Sequence, residues 1–282
     1  MPSVKTGYVI LLGSIFVVFF VMPVGFFLSV SVALYLEPGI FDDTFTLENY
    51  ARLVRDDYAL GVLTDTLRIS AYVTVLCLVL GYPLAMFIAR ETGFVRRAVM
   101  IVTVASLFTN LVVRTYGWLV FLTPRGLFNN MLLDAGLIEK PLRLMFNETG
   151  VIVGLVQIML PIQIIVLAVS LQAIDRVLED AASIAGAGKV RIFTRIIWPL
   201  SLPGVISGSI LVFTLSMSSF ITPEFLGGGR VMVLGTLIRQ LMTRSLNYPF
   251  AAAVSATLLL LAIAMLVSLA IISRRVMRHR AS

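Results

Sequence analysis

The chain has 282 residues, 59% of them hydrophobic and only 13% charged, where a soluble domain has roughly 45–50% and about 25%. A soluble protein of this size cannot bury that much apolar surface, whereas lipid serves a polytopic membrane protein as solvent for its outer face; secreted, disordered, coiled-coil and ordinary cytosolic classes are excluded. A net charge of +7, one cysteine (Cys77) and one histidine (His279) leave no disulfide framework, no Cys- or His-ligated metal and no Ser-His-Asp triad.

Six apolar runs follow in chain order, near residues 8–34, 63–89, 98–122, 149–171, 202–226 and 249–272. Each is long enough for a helix to cross a hydrocarbon core about 30 Å thick. The apolar core of the first is too long for a signal-peptide h-region, and only Lys5 charges the segment before it, so it reads as an uncleaved span. No repeat and no low-complexity linker divides the chain. The expected fold is therefore all-α: one membrane domain, residues 1–282, with six transmembrane helices. Two outer loops, near 35–62 and 123–148, are long enough to carry local structure; 129–136 looks like a short surface helix ended by Gly136.

Charge sets the orientation. Twelve Lys and Arg fall on one side with four acids, and eight fall on the other with nine acids. The positive-inside rule puts the first side, with both termini, in the cytoplasm. The basic tail, 274–280, then reads as a stop-transfer and headgroup-contacting segment, not a nucleic-acid site.

No catalytic constellation is present. Gly186-Ala187-Gly188-Lys189 hints at a P-loop, but the pattern needs Gly at 183 and Ser/Thr at 190, where this chain has Ser183 and Val190. A helix-like stretch precedes it where a P-loop needs a strand. The same cytoplasmic stretch, 175–203, is nevertheless the informative one. Asp175 is a fair N-cap for a short helix over 176–185. Gly186 and Gly188 break it. From Lys189 an amphipathic helix resumes, with Val190, Phe193, Ile196 and Ile197 on one face, and leads through Pro199 into the fifth span. Ala181, Ala182 and Ala185 allow close seating against a partner. From pattern alone, a compact cytoplasmic knob and a plain interfacial hairpin both stand.

Asp180-Ala181-Ala182, with Gly186 four residues on and then Ile196, Pro199 and Pro203, resembles the EAA signature of the permease subunits of ATP-binding-cassette importers. The resemblance implies the type I importer permease fold and a coupling helix that docks on a cytoplasmic ATPase subunit. The signature usually begins with Glu. Here Asp180 stands first, with Glu179 beside it, and either can hold the acidic role. Outside the motif, Val113-Arg114-Thr115-Tyr116-Gly117-Trp118 is similar to the "RTYxW" stretch of the spermidine/putrescine branch. Ser219-Phe220-Ile221-Thr222-Pro223 before Leu226-Gly227-Gly228 resembles its "DFxTPxLLGG", and Asn247-Tyr248-Pro249-Phe250 before Ala251-Ala252-Ala253 its "NWPFGAA". Ser219 departs from the Asp common there. The resemblance implies a multi-pass protein of a bacterial inner membrane, importing a polyamine or another small organic solute. It implies as partners a second related permease, two ATPase subunits and an extracytoplasmic solute-binding protein. It also implies that ATP and magnesium sit on the ATPase subunits, with no cofactor on this chain.

The coupling candidates are Glu179, Asp180, Ala181, Ala182, Gly186 and Pro199. The path or gate candidates are Arg114, Tyr116, Trp118, Ser219, Thr222, Pro223 and Glu224. Arg114 lies eight residues from the outer end of its span, and an arginine near a helix centre costs about 2.5–3.5 kcal/mol to insert. Gating or structural pairing, snorkelling and direct solute contact all stand for it. Glu224 is in reach to pair with Arg114 or to offer a carboxylate to a cation; Asp65 and Arg68, three apart, read as a pair. Pro83, Pro161 and Pro223 each free a backbone carbonyl, either as a kink or beside a solute path. Gly150/Gly154 and Gly204/Gly208 permit close helix packing. A gradient-driven secondary transporter needs intramembrane acids, and only Asp65 and Glu224 qualify, both near the outer edge. A membrane-embedded enzyme lacks its residues.

Overall fold

The structure is a computed structural model that describes the backbone of residues 12–278 and the side chains of residues 12–268. Lys5, the start of the first expected span and the side chains of the basic tail lie outside these. In chain order the helices are α1 (Leu12–Ser31), α2 (Glu48–Arg55), α3 (Asp57–Arg90), α4 (Phe94–Phe108), α5 (Leu111–Leu122), α6 (Leu127–Asp134), α7 (Glu148–Gln172), α8 (Arg176–Ile184), α9 (Lys189–Ser218), α10 (Ile221–Gly227), α11 (Leu234–Thr243) and α12 (Tyr248–Arg278). A small hairpin, β1 (Leu34–Glu37) and β2 (Ile40–Asp42), follows α1. It turns through Gly39 at φ +83° and gives the first outer loop a structure that its sequence left open. α1, α3, α7, α9 and α12 are each long and apolar enough to cross a membrane, and α4 with the bent segment Leu111–Asp134 passes the same test as a pair, a sixth crossing if the two together are one span.

The chain forms two units. Among the described residues the first holds 12–63 and 237–260. In it Asn49 is buried and donates to the carbonyls of Ser31 (3.1 Å) and Ala33 (2.9 Å), pinning α2 to the end of α1. Asn247 caps α12 by accepting from Phe250 N–H, and Ala251–Ala253 behind it are buried. The apolar window of α1 has no buried residue.

The second unit holds, among the described residues, 64–236 and 261–278. Its centre is α7, with 61% of its apolar window buried, more than any other span. Asn147 starts this helix by accepting from Gly150 N–H at 2.9 Å. The seam between α7 and α9 closes on glycine. A Cβ at Gly204 would lie 2.2 Å from the Ser170 side chain, and one at Gly208 3.0 Å from the Gln163 amide. Gly154 likewise seats Leu226 and Thr222 of α10. The small-residue spacing thus serves helix contact.

Two expected spans differ from their sequence reading. The third, 98–122, is not continuous: α4 and the segment from Leu111 meet at 105°. Thr109 turns extended (ψ 132°), and the Asn110 side chain caps the new helix by accepting from Val112 N–H at 2.8 Å. A local side-chain acceptor here outcompetes the uninterrupted apolar run. The fifth span, read as 202–226, begins at Lys189 and ends at Ser218. Pro199 and Pro203 lie inside the continuous helix, and a wide turn at 193–197 directly precedes Pro199. Past an extended Ser219, α10 is a separate helix. Pro223 lies in its first turn, where no N–H is needed; it is neither a kink nor a mid-helix break.

Candidate functional site

The 175–203 segment folds as its sequence indicates. Asp175 caps α8 by accepting from Val177 N–H at 3.0 Å. At the other end, Gly186 N–H bonds to the Ser183 carbonyl (3.0 Å) and Ala187 N–H to that of Ala182 (2.9 Å). These two bonds make a Schellman cap, whose C′ residue must be left-handed. Gly186 has φ +82°. Gly188, expected to share that task, has an ordinary φ of −71° and is the N-cap of α9. The knob presents Asp180, Ala181 and Gly186 to its exterior, with Ile184 89% exposed at its tip. Ala182 is half-buried.

The two adjacent acids do different things. Glu179 turns inward and forms an ion pair with Arg90 at the end of α3; Asp180 stays exposed. The sequence offers no signal for Arg90 beyond its positive charge. Farther in, Tyr82 of α3 packs against Phe193 and Trp198 of α9, and its hydroxyl meets Ser201 at 2.9 Å. Pro199 continues α9 beside this contact.

The outer candidates gather around the two broken spans. Arg114, on α5, donates to the Ser106 carbonyl and hydroxyl, both at 3.1 Å, and to the Gln157 carbonyl at 2.9 Å and side chain at 3.3 Å. These partners have a common cause. Ser106 lies in the last turn of α4, where its carbonyl receives only a long 3.4 Å bond from Thr109 N–H. Gln157 lies four residues before Pro161, whose missing N–H leaves that carbonyl free. Arg114 therefore fastens the bend to α7. The expected alternative, a pair with Glu224, is not what holds it. The sequence flagged Pro161 but gave no means of naming the donor that answers it.

Arg114, Gly117, Trp118, Phe121 and Gln157 line an open cleft of about 350 Å³. Ser219 lines a second, of about 200 Å³, with Leu111, Ile158 and Met159. Tyr116 packs on Phe225 with ring centroids 5.0 Å apart, and the buried Thr115 and Thr222 hydroxyls meet at 3.5 Å. Thr222 and Pro223 are buried in that packing and line neither cleft. Glu224 is half-buried on α10. Asp65 and Arg68 pair at 3.0 Å as expected, and Arg68 also reaches Glu148 at 2.8 Å. These groups are about half exposed, so the pairing is worth little energetically.

Residues 81–278 match the model of the binding-protein-dependent transport system inner membrane component. The chain belongs to this family. It is 39% identical over 214 residues to the spermidine/putrescine transport system permease protein PotB of Escherichia coli K12, covering 76% of this chain and 78% of that one. It is 37% identical over 210 residues to PotB of Haemophilus influenzae, covering 74% and 73%. The fold matches that of a bacterial alginate ABC transporter solved with an alginate pentasaccharide-bound periplasmic protein: TM-score 0.73 over 95% of this chain and 94% of that one, at 20% identity. This chain is thus a multi-pass inner-membrane permease of an ABC importer, a transport subunit and not an enzyme. The permease's two site regions, the knob and the broken spans, both lie within the matched residues.

Proposed function

We propose that this permease forms half of the translocation path for a polyamine or a related organic cation. A second, related permease supplies the other half. Two cytoplasmic ATPase subunits bind ATP and magnesium, and an extracytoplasmic binding protein delivers the solute. Both termini lie in the cytoplasm. Closure of the ATPases moves the 175–188 knob, with Asp180, Ala181 and Ala182 seated on the ATPase and Glu179 holding the knob to α3. The knob tilts the spans and opens the path alternately to each side.

The observation that carries this reading is the 39% identity with a spermidine/putrescine permease across three quarters of the chain. Charge supports it. The first outer loop carries Glu37, Asp42, Asp43, Glu48, Asp56 and Asp57 against Arg52 and Arg55, a net of −4, and all six acids but Asp56 are exposed. An acidic loop of this kind concentrates cations within a Debye length of about 8 Å. Arg114 makes its own cleft unsuited to a cation, which leaves Glu224 as the carboxylate of the path. Ser219, standing where the polyamine branch commonly has Asp, favours a second reading: the same role for a non-polyamine solute.

Neutralising one carboxylate tests this. Glu224→Gln is expected to lower cation uptake while receptor-stimulated ATPase activity persists. If both fall together, the carboxylate serves docking or packing instead. A receptor that binds only anions would end the cation reading whatever this variant does.

A further inference from the structure

We propose that Arg90, Glu179 and Arg176 form a two-way latch that transmits movement of the coupling helix α8 into the span α3, with Arg90 and Glu179 as positioning residues for transport. The inference rests on the reading of the knob as the ATPase contact.

The latch crosses between the elements in both directions. From α3, Arg90 reaches out through Nη1 to the Ile174 carbonyl at 3.2 Å, just past the end of α7, and through Nη2 to the Glu179 carboxylate on α8. From α8, Arg176 reaches back to the carbonyls of Ala89 (3.4 Å) and Arg90 (2.5 Å). These are last-turn carbonyls of α3, which have no helical donor, and a cation there is favoured by the helix dipole. Arg96 takes a third, that of Ile88, at 2.8 Å. A displacement of α8 therefore pulls on the backbone of α3 itself, not on a flexible side chain alone.

The ion pair is screened less than a surface pair. The Arg90 and Glu179 side chains are 15% and 22% exposed, and neither Arg90 Nη2 nor Glu179 Oε1 has a hydrogen-bond partner beyond it among the described residues. Removing one charge strands the other in a partly buried site, where a single charge is costly. The arrangement also separates the neighbouring acids: Glu179 holds the knob from inside, which leaves the exposed Asp180 to meet the partner.

The test uses the complete transporter in liposomes, with receptor, labelled solute and ATP. Glu179→Gln is expected to raise ATP hydrolysed per solute imported by about tenfold, the usual scale of a coupling free energy. The swap Arg90→Glu with Glu179→Arg is expected to bring the ratio back to within about threefold of wild type. Should Glu179→Gln not assemble, Arg90→Lys keeps the charge but not the fork that spans Ile174 and Glu179, and an intermediate ratio is expected. An unchanged ratio, even with less complex assembled, would mean a static brace and overturn the latch. So would a swap no better coupled than the single variants. A wild-type complex that hydrolyses ATP without receptor-dependent uptake would instead sink the transport reading itself.

Discussion

A single missing hydrogen explains the most expensive residue in the membrane-spanning part. Pro161 cannot donate to the Gln157 carbonyl, and Arg114 does so at 2.9 Å while also closing the last turn of α4 at Ser106. Stranding such a carbonyl costs about 1–3 kcal/mol. Arg114→Leu is therefore expected to lower the thermal stability of the detergent-solubilised permease by a cost of that order, for the Gln157 carbonyl it strands. Pro161→Ala returns a helical donor to Gln157, so the double variant should lose less than the sum of the singles. Additivity within about 0.5 kcal/mol across the double-mutant cycle would show the two residues to be independent. The arginine and the proline were both visible in the sequence. Their connection was not, because the residues lie 47 apart in the chain and only the packing of α5 on α7 joins them.

At the scale of elements, the coupling knob shows which glycine the turn needs. Nothing lies within 4 Å of a Cβ built on Gly186, so space does not restrict it; its φ of +82° does. A branched side chain there costs about 1–2 kcal/mol or reshapes the cap. Gly186→Leu is expected to abolish ATP-dependent uptake with the protein still inserted in the membrane, whereas Gly188→Ala, at φ −71°, should retain uptake. Wild-type uptake by Gly186→Leu, with its ATPase subunits bound normally, would remove the knob from the coupling path. The knob was legible because its signals are local: a capping Asp, a short apolar period and a glycine. The breaks in the third and fifth spans have local signals too, Thr109-Asn110 and Ser218-Ser219. An apolar run of membrane-crossing length hides them, since hydropathy reports burial in lipid and not the path of the backbone.

For the whole molecule the sorting of charge predicts an orientation that labelling can read directly. Leu137, on the expected outer side, and Ile184, at the tip of the knob, are both exposed, and the native Cys77 is buried against Val156. With that low background, Leu137→Cys should react with a membrane-impermeant maleimide in intact cells, and Ile184→Cys only after permeabilisation. The opposite pattern would invert the chain. The apolar window of α1 belongs to this scale as well: none of its residues is buried by the described residues.

The sequence by itself determined the membrane class, the helix–glycine–helix form of the 175–203 segment and the family, because each is encoded in composition, in local periodicity or in a short contiguous motif. Tertiary structure decided the rest. It bent the third span and fastened the bend with Arg114, buried Thr222 and Pro223 in a helix seam, and set apart two adjacent acids by turning Glu179 onto Arg90. These are choices of partner between residues distant in the chain. A charge or a freed carbonyl announces that it needs a partner, but only the packed helices determine which one comes within reach.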